Sequence, residues 1–235
     1  MKTRNACVVL AVVGLGLGLA ARVSAQPFVM GYTGDDLNYL NVTTGGGVVS
    51  LNTGESIIDP NHGLNQGWWS ATYENTEAND NHFTGTPNGG ADWLNSFYVF
   101  DLSYLAGAQA TAATLVLNDN GEEGSPPFNL SFWDVTTPAA TLVDTDGTSA
   151  AIYNDLGSGI EYGSLSYGGG VTYPGPSGTI TVTLDAAALA AINADGGYFA
   201  IGATLTPSSA VPDGGMTLGL LGMCVTGLMG LKRKN

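Results

Sequence analysis

Between Val23 and Leu231 the chain has no lysine and no arginine, and between Gln26 and Asp213 it has no cysteine. The first absence excludes a nucleic-acid partner, because phosphates are met by clustered Lys and Arg. It also leaves every carboxylate of that stretch without a basic side chain to pair with. The second absence excludes a disulfide framework and any zinc site built on thiolates. Histidine is almost missing too: the 2 present are His62 and His82, both in Asn/Gly-rich surroundings where a surface position is expected. A serine triad needs a histidine base, and no GxSxG, HExxH, P-loop or GxGxxG motif accompanies these.

The 20 acids all lie between Asp35 and Asp213, and the 6 bases all lie outside, giving a net charge of −14. Hydrophobic residues make up 44% of the chain, and its 4 Trp, 10 Tyr and 7 Phe all fall between Phe28 and Phe199. An acidic disordered tail would be poor in aromatics, so the stretch reads as a folded acidic body between two basic-apolar ends.

The first end has the order of a secretory signal peptide, residues 1–25. Lys2 and Arg4 supply the basic head, Val8–Ala21 the apolar run, and Val23-Ser24-Ala25 the small residues of a cleavage site before Gln26. Signal peptidase is the implied partner. The apolar run is shorter than the ~20 residues a bilayer span needs. The other end, residues 208–235, joins a polar turn (Val211-Pro212-Asp213-Gly214-Gly215), an apolar segment (Met216–Leu231) and a basic stop (Lys232, Arg233, Lys234). Such a segment would hold the precursor in the membrane as a helix, with the basic cluster inside. Pro212 and the glycine pair keep the turn extended and open to a processing enzyme.

Residues 26–207 read as one all-β domain, a jelly-roll-like β-sandwich with one short helix. Thr179–Leu184 alternates strictly, with three threonines on one face. Ala113–Leu117, Asn129–Val135 and Tyr198–Leu205 are strands of similar length. Asn95–Leu102 is apolar on both parities, Phe97 and Val99 against Tyr98 and Phe100, and is expected to be buried on both faces. Asp185–Ala194 alone looks helical, with Asp185 as its cap and Gly196-Gly197 as its stop.

The tail resembles the PEP-CTERM class of bacterial sorting signals, in the variant that begins Val-Pro-Asp, where serine is also common at the place of Gly214. The resemblance implies an exosortase that cuts near the motif, and an exported protein tied to exopolysaccharide or biofilm. The body resembles a domain frequent in that class. The likeness is carried by Gly67-Trp68-Trp69, Asn95–Ser103, Ala112–Leu115, Phe132–Val135, Tyr153–Gly159, Tyr162–Ser164 and Leu184–Asn193; it implies a secreted β-sandwich and carries over no catalytic residues.

Three chemistries remain open within the body. Loop carboxylates suit calcium ligation, at Asp144 with Asp146 and at Asp119 with Glu122, although an Asx turn is their commoner fate and no downstream EF-hand glutamate follows. Trp68, Trp69, Trp93 and Trp133 are candidates for a sugar-stacking platform. Adjacent Trp68 and Trp69 must point to opposite faces of a strand, so at most one of them is exposed there. Paired acids such as Glu74 with Glu77, or Glu122 with Glu123, would suit glycoside hydrolysis only if the fold set them across a cleft. The leading expectation is a non-enzymatic envelope or matrix protein; a carbohydrate-binding module and a glycan-active enzyme are the alternatives.

Overall fold

The structure, a computed structural model, describes residues 28–31, 37–61, 63–73, 81–86, 92–119, 121–123, 128–144, 146–167 and 178–207. The expected signal peptide at residues 1–25, the tail from 208 onward, His62, Glu74, Glu77 and the side chains of Glu122 and Glu123 lie outside the described residues.

The strands are β1 (Phe28–Gly31), β2 (Tyr39–Thr44), β3 (Gly47–Asn52), β4 (Gln66–Trp69), β5 (His82–Gly85), β6 (Asn95–Asp101), β7 (Ala110–Asp119), β8 (Gly121–Glu123), β9 (Phe128–Asp134), β10 (Glu161–Tyr167), β11 (Gly178–Thr183) and β12 (Tyr198–Pro207). They form three antiparallel sheets: β10-β9-β12-β6-β4, β11-β7-β2-β3, and a small β5-β1-β8.

The two larger sheets pack face to face, as the alternating strands require. Leu40, Val42, Leu115, Leu117, Ile180 and Val182 from one meet Tyr98, Phe100, Leu130, Phe132, Ile201 and Leu205 from the other. Each such burial is worth roughly 1.5–3 kcal/mol. In β11 the expected division holds: Ile180 and Val182 are buried, while Thr179, Thr181 and Thr183 face solvent. β6 is buried on both faces, also as expected. Tyr98 and Phe100 enter the sandwich core, and Phe97 and Val99 enter a second core on the outer side.

That second core corrects the expectation of a single helix. Besides α3 (Ala186–Ala194), capped by Asp185 accepting from the Ala187 and Ala188 amides, there are α1 (Ala139–Val143) and α2 (Ala150–Asp155). The strand expected over Asn95–Leu102 ends at Asp101, and Leu102–Leu105 is a 3-10 turn. At 5 and 6 residues, α1 and α2 are too short for a 3.6-residue period to show in sequence. Packing supports them instead: Leu142, Val143, Ile152 and Leu156 close over Trp69, Phe97 and Val99.

Residues 37–66 contribute a buried polar clasp between the sheets. Gln66 Oε1 accepts from Asn38 Nδ2 at 2.6 Å and from Thr53 Oγ1 at 2.7 Å, and Asn38 Oδ1 accepts from the Asn118 amide at 2.8 Å. Satisfied in this way, buried polar groups fix register without a desolvation penalty.

Candidate functional site

The outer face of the five-stranded sheet divides in two. Over β4 and β6 it is covered by α1 and α2. Beyond the end of α2 it opens into a cleft of about 250 Å³ lined by Trp93, Asn95, Trp133, Tyr153, Asn154, Gly157, Thr204, Leu205 and Thr206. Its floor follows from strand alternation. Leu130 and Phe132 of β9 and Ala203 and Leu205 of β12 point into the sandwich, so Trp133, Thr204 and Thr206 stand on the other side.

Hydrogen bonds hold the walls. Trp133 Nε1 donates to Thr204 Oγ1 at 2.8 Å, which fixes the indole across β12. Asn95 Nδ2 donates to the Tyr153 carbonyl at 3.0 Å, tying α2 to β6. Asp155 ties the same helix to the loop after β9 by accepting from the hydroxyls and backbone amides of Thr136 and Thr137, at 2.6–3.0 Å. Burial opposes the charge of Asp155, but these hydrogen bonds together prevail and hold its carboxyl below the ordinary value. Burial raises the Tyr153 phenol, which stays a neutral O–H at physiological pH.

The close fit of α2 onto the sheet depends on two glycines. A Cβ at Gly202 would lie 2.3 Å from the Leu156 carbonyl oxygen, and one at Gly157 would lie 2.6 Å from the Thr204 methyl. Gly202 is the cross-strand partner of Trp133, so the missing side chain leaves the turn after α2 room to form the cleft wall.

Of the four tryptophans proposed as a platform, the structure brings together Trp93 and Trp133, both half-buried at the cleft. Trp68 and Trp69 are removed from it. They do point to opposite faces, but both are buried, at 4% and 1% exposure. Trp68 packs with Phe28, Phe83 and Leu94 and donates to Asn81 Oδ1 at 3.1 Å; Trp69 lies under α1 and donates to the Leu142 carbonyl at 3.2 Å. Both faces of β4 are covered because the small sheet and the helices flank it on either side. Tyr153 and Asn154, which sequence reasoning did not single out as site residues, belong to the cleft. The Tyr153–Gly159 motif was the one signal pointing to them.

The expected surface histidine is corrected as well: His82 is wholly buried in β5. Asp144 and Asp146 are exposed after α1, and Asp119 is half-buried at the end of β7. Among the described residues no three His, Cys, Asp or Glu side chains gather as metal ligands would. Nor, among the described residues, is any helix long and apolar enough to cross a membrane.

Fold and cleft define an acidic β-sandwich with an uncharged aromatic hollow on one outer face. Residues 210–234 match the family model of the VPDSG-CTERM motif, with Gly214 standing where the motif has serine. The tail is a PEP-CTERM-like sorting signal, and the protein is an exported, cell-surface-directed one. The match covers the tail alone. No curated protein and no solved structure matches the chain.

Proposed function

We propose that the chain is a non-enzymatic protein of the cell envelope or extracellular matrix, associated with exopolysaccharide. In this reading signal peptidase cleaves between Ala25 and Gln26, and the apolar segment 216–231 then holds the precursor in the membrane. An exosortase-like enzyme cuts near Val211–Gly215, and the body is displayed or released outside the cell. The observation that carries the proposal is the sorting motif at 210–234, which follows an acidic body without Lys or Arg. Two features of the described residues support binding over hydrolysis. No carboxylate lines the cleft, and both ring nitrogens of His82 are engaged inside the fold.

Intact-mass measurement of the exported protein tests the proposal. The mature chain is expected to begin at Gln26 and to end near Gly214. Replacing Pro212 and Asp213 by alanine should leave uncut protein in the inner membrane. A surface protein that still carries Asn235 would remove the sorting step.

A further inference from the structure

We propose that the cleft between the end of α2 and the outer face of β9 and β12 binds a neutral polysaccharide, one sugar ring lying against the indoles of Trp93 and Trp133. A pyranose ring is amphipathic: its C–H faces are apolar, and its rim carries hydroxyls that donate and accept. The cleft offers the matching pair of surfaces. Trp93, Trp133 and Tyr153 supply aromatic carbon, while Asn154, Thr204 and Thr206 supply neutral hydrogen-bonding groups beside it. A few fixed polar groups in an otherwise apolar hollow are what orient a small ligand. The side chains are held before any ligand arrives, Trp133 by Thr204 and α2 by Asn95, which lowers the ordering cost of binding.

The charge pattern selects among glycans. No lining side chain is ionised, and no Lys or Arg occurs between Val23 and Leu231 to receive a carboxylate or sulfate. An acidic polysaccharide would meet the field of 20 carboxylates with nothing to offset it. The volume of about 250 Å³ falls below the roughly 300–1,000 Å³ of drug-sized sites, which suits one unit of a longer chain crossing the surface. The inference rests on the reading that the body works outside the cell, among glycans, and not on where the tail is cut.

The test uses the full chain purified in a detergent that contains no sugar. Cello-, xylo- and manno-oligosaccharides serve as neutral probes, and oligogalacturonate as the acidic one. Tryptophan emission and titration calorimetry are the readouts. At least one neutral probe should bind saturably, and oligogalacturonate should bind more weakly or not at all. Trp93→Ala and Trp133→Ala should each weaken binding about tenfold or more, the usual effect of losing a central aromatic contact. Asn154→Ala, at an exposed rim position, should weaken it with the thermal midpoint unchanged, so the test survives if Trp133→Ala does not fold. Tyr104→Ala, exposed on the 3-10 turn, should bind as the parent does. The proposal is overturned by no saturable binding of any neutral probe, by stronger binding of oligogalacturonate, or by parental affinity in both Trp93→Ala and Asn154→Ala. A signal that follows protein concentration instead of sugar would make the cleft a contact between proteins and would also overturn it. Uncut and cut protein should bind alike, so a failure of sorting and a failure of binding are separate results.

Discussion

His82 has its Nε2 2.7 Å from the Asn118 carbonyl oxygen and its Nδ1 3.0 Å from the Tyr98 hydroxyl. A carbonyl can only accept, so Nε2 carries a proton, and because burial keeps the ring from taking a second one, Nδ1 accepts from Tyr98. The ring is therefore neutral in the fold. Burial lowers its pKa from 6.5 to about 4, with the bond to Asn118 acting the other way. As pH falls, the unfolded chain takes up this proton first. The contribution of His82 is full above pH 6.5 and is lost progressively down to about 4, at up to about 1.4 kcal/mol per pH unit. Asp101 and Asp155, whose carboxyls are held below their ordinary value of 3.8, give way only further down. The urea midpoint is thus expected to drop between pH 7 and pH 5, above the range in which Asp101 and Asp155 lose their charge. A flat profile across that window would show that His82 is not held neutral. In sequence the residue sits among Asn and Gly and looks exposed; its burial comes from Gly31 in β1, Tyr98 in β6 and Asn118 in β7, which the fold brings around β5.

At the scale of elements, α2 is the piece that turns a plain sheet face into a site. Its 6 residues form because Ser149 Oγ caps the Ile152 amide at 3.2 Å and because Ile152 and Leu156 bury into the outer core. The contact that seats it is backbone against backbone, Leu156 on Gly202, and backbone cannot swing aside. Gly202→Ala is expected to cost about 1–3 kcal/mol or more, as overpacking does, and to disturb the cleft. Gly157→Ala meets side-chain atoms alone, the Thr204 methyl at 2.6 Å and Asn95 Nδ2 at 3.3 Å, and should cost less. Chemical denaturation of the two variants checks this order. If Gly202→Ala proves as stable as the parent, α2 is not anchored there. The strands of the sandwich were legible in sequence: β11 by its strict alternation in one sheet, and in the sheet that carries the site β6 by its double parity and β9 and β12 by length and turns. The helix that completes it was not, since 6 residues carry no periodic signature.

For the whole molecule the governing fact is a body of 20 acids with no Lys or Arg inside it. Charges of one sign are closer together in the folded state than in the unfolded chain, so self-repulsion lowers stability. Salt shortens the reach of that repulsion, from about 10 Å at 0.1 M to about 3 Å at 1 M. Sodium chloride should therefore raise the thermal midpoint at neutral pH. Calcium chloride at matched ionic strength should raise it by the same amount if screening is the whole effect. A midpoint that stays constant or falls with sodium chloride would show that the repulsion is negligible.

The sequence by itself determined the zones of the chain, the sorting tail and the sandwich, because these depend on local order: charge position, alternation and a contiguous motif. It also determined that Trp68 and Trp69 part company, since adjacent strand residues must. Only the tertiary structure decided which tryptophans face solvent. Trp69 is hidden by α1 and Trp68 by the small sheet, covers supplied by segments far along the chain. Trp93 and Trp133, separated in sequence, share a cleft because β9 and β6 flank β12 on either side and α2 stops short of Trp133. Burial is a property of what lies across a surface, and no local pattern of residues encodes it.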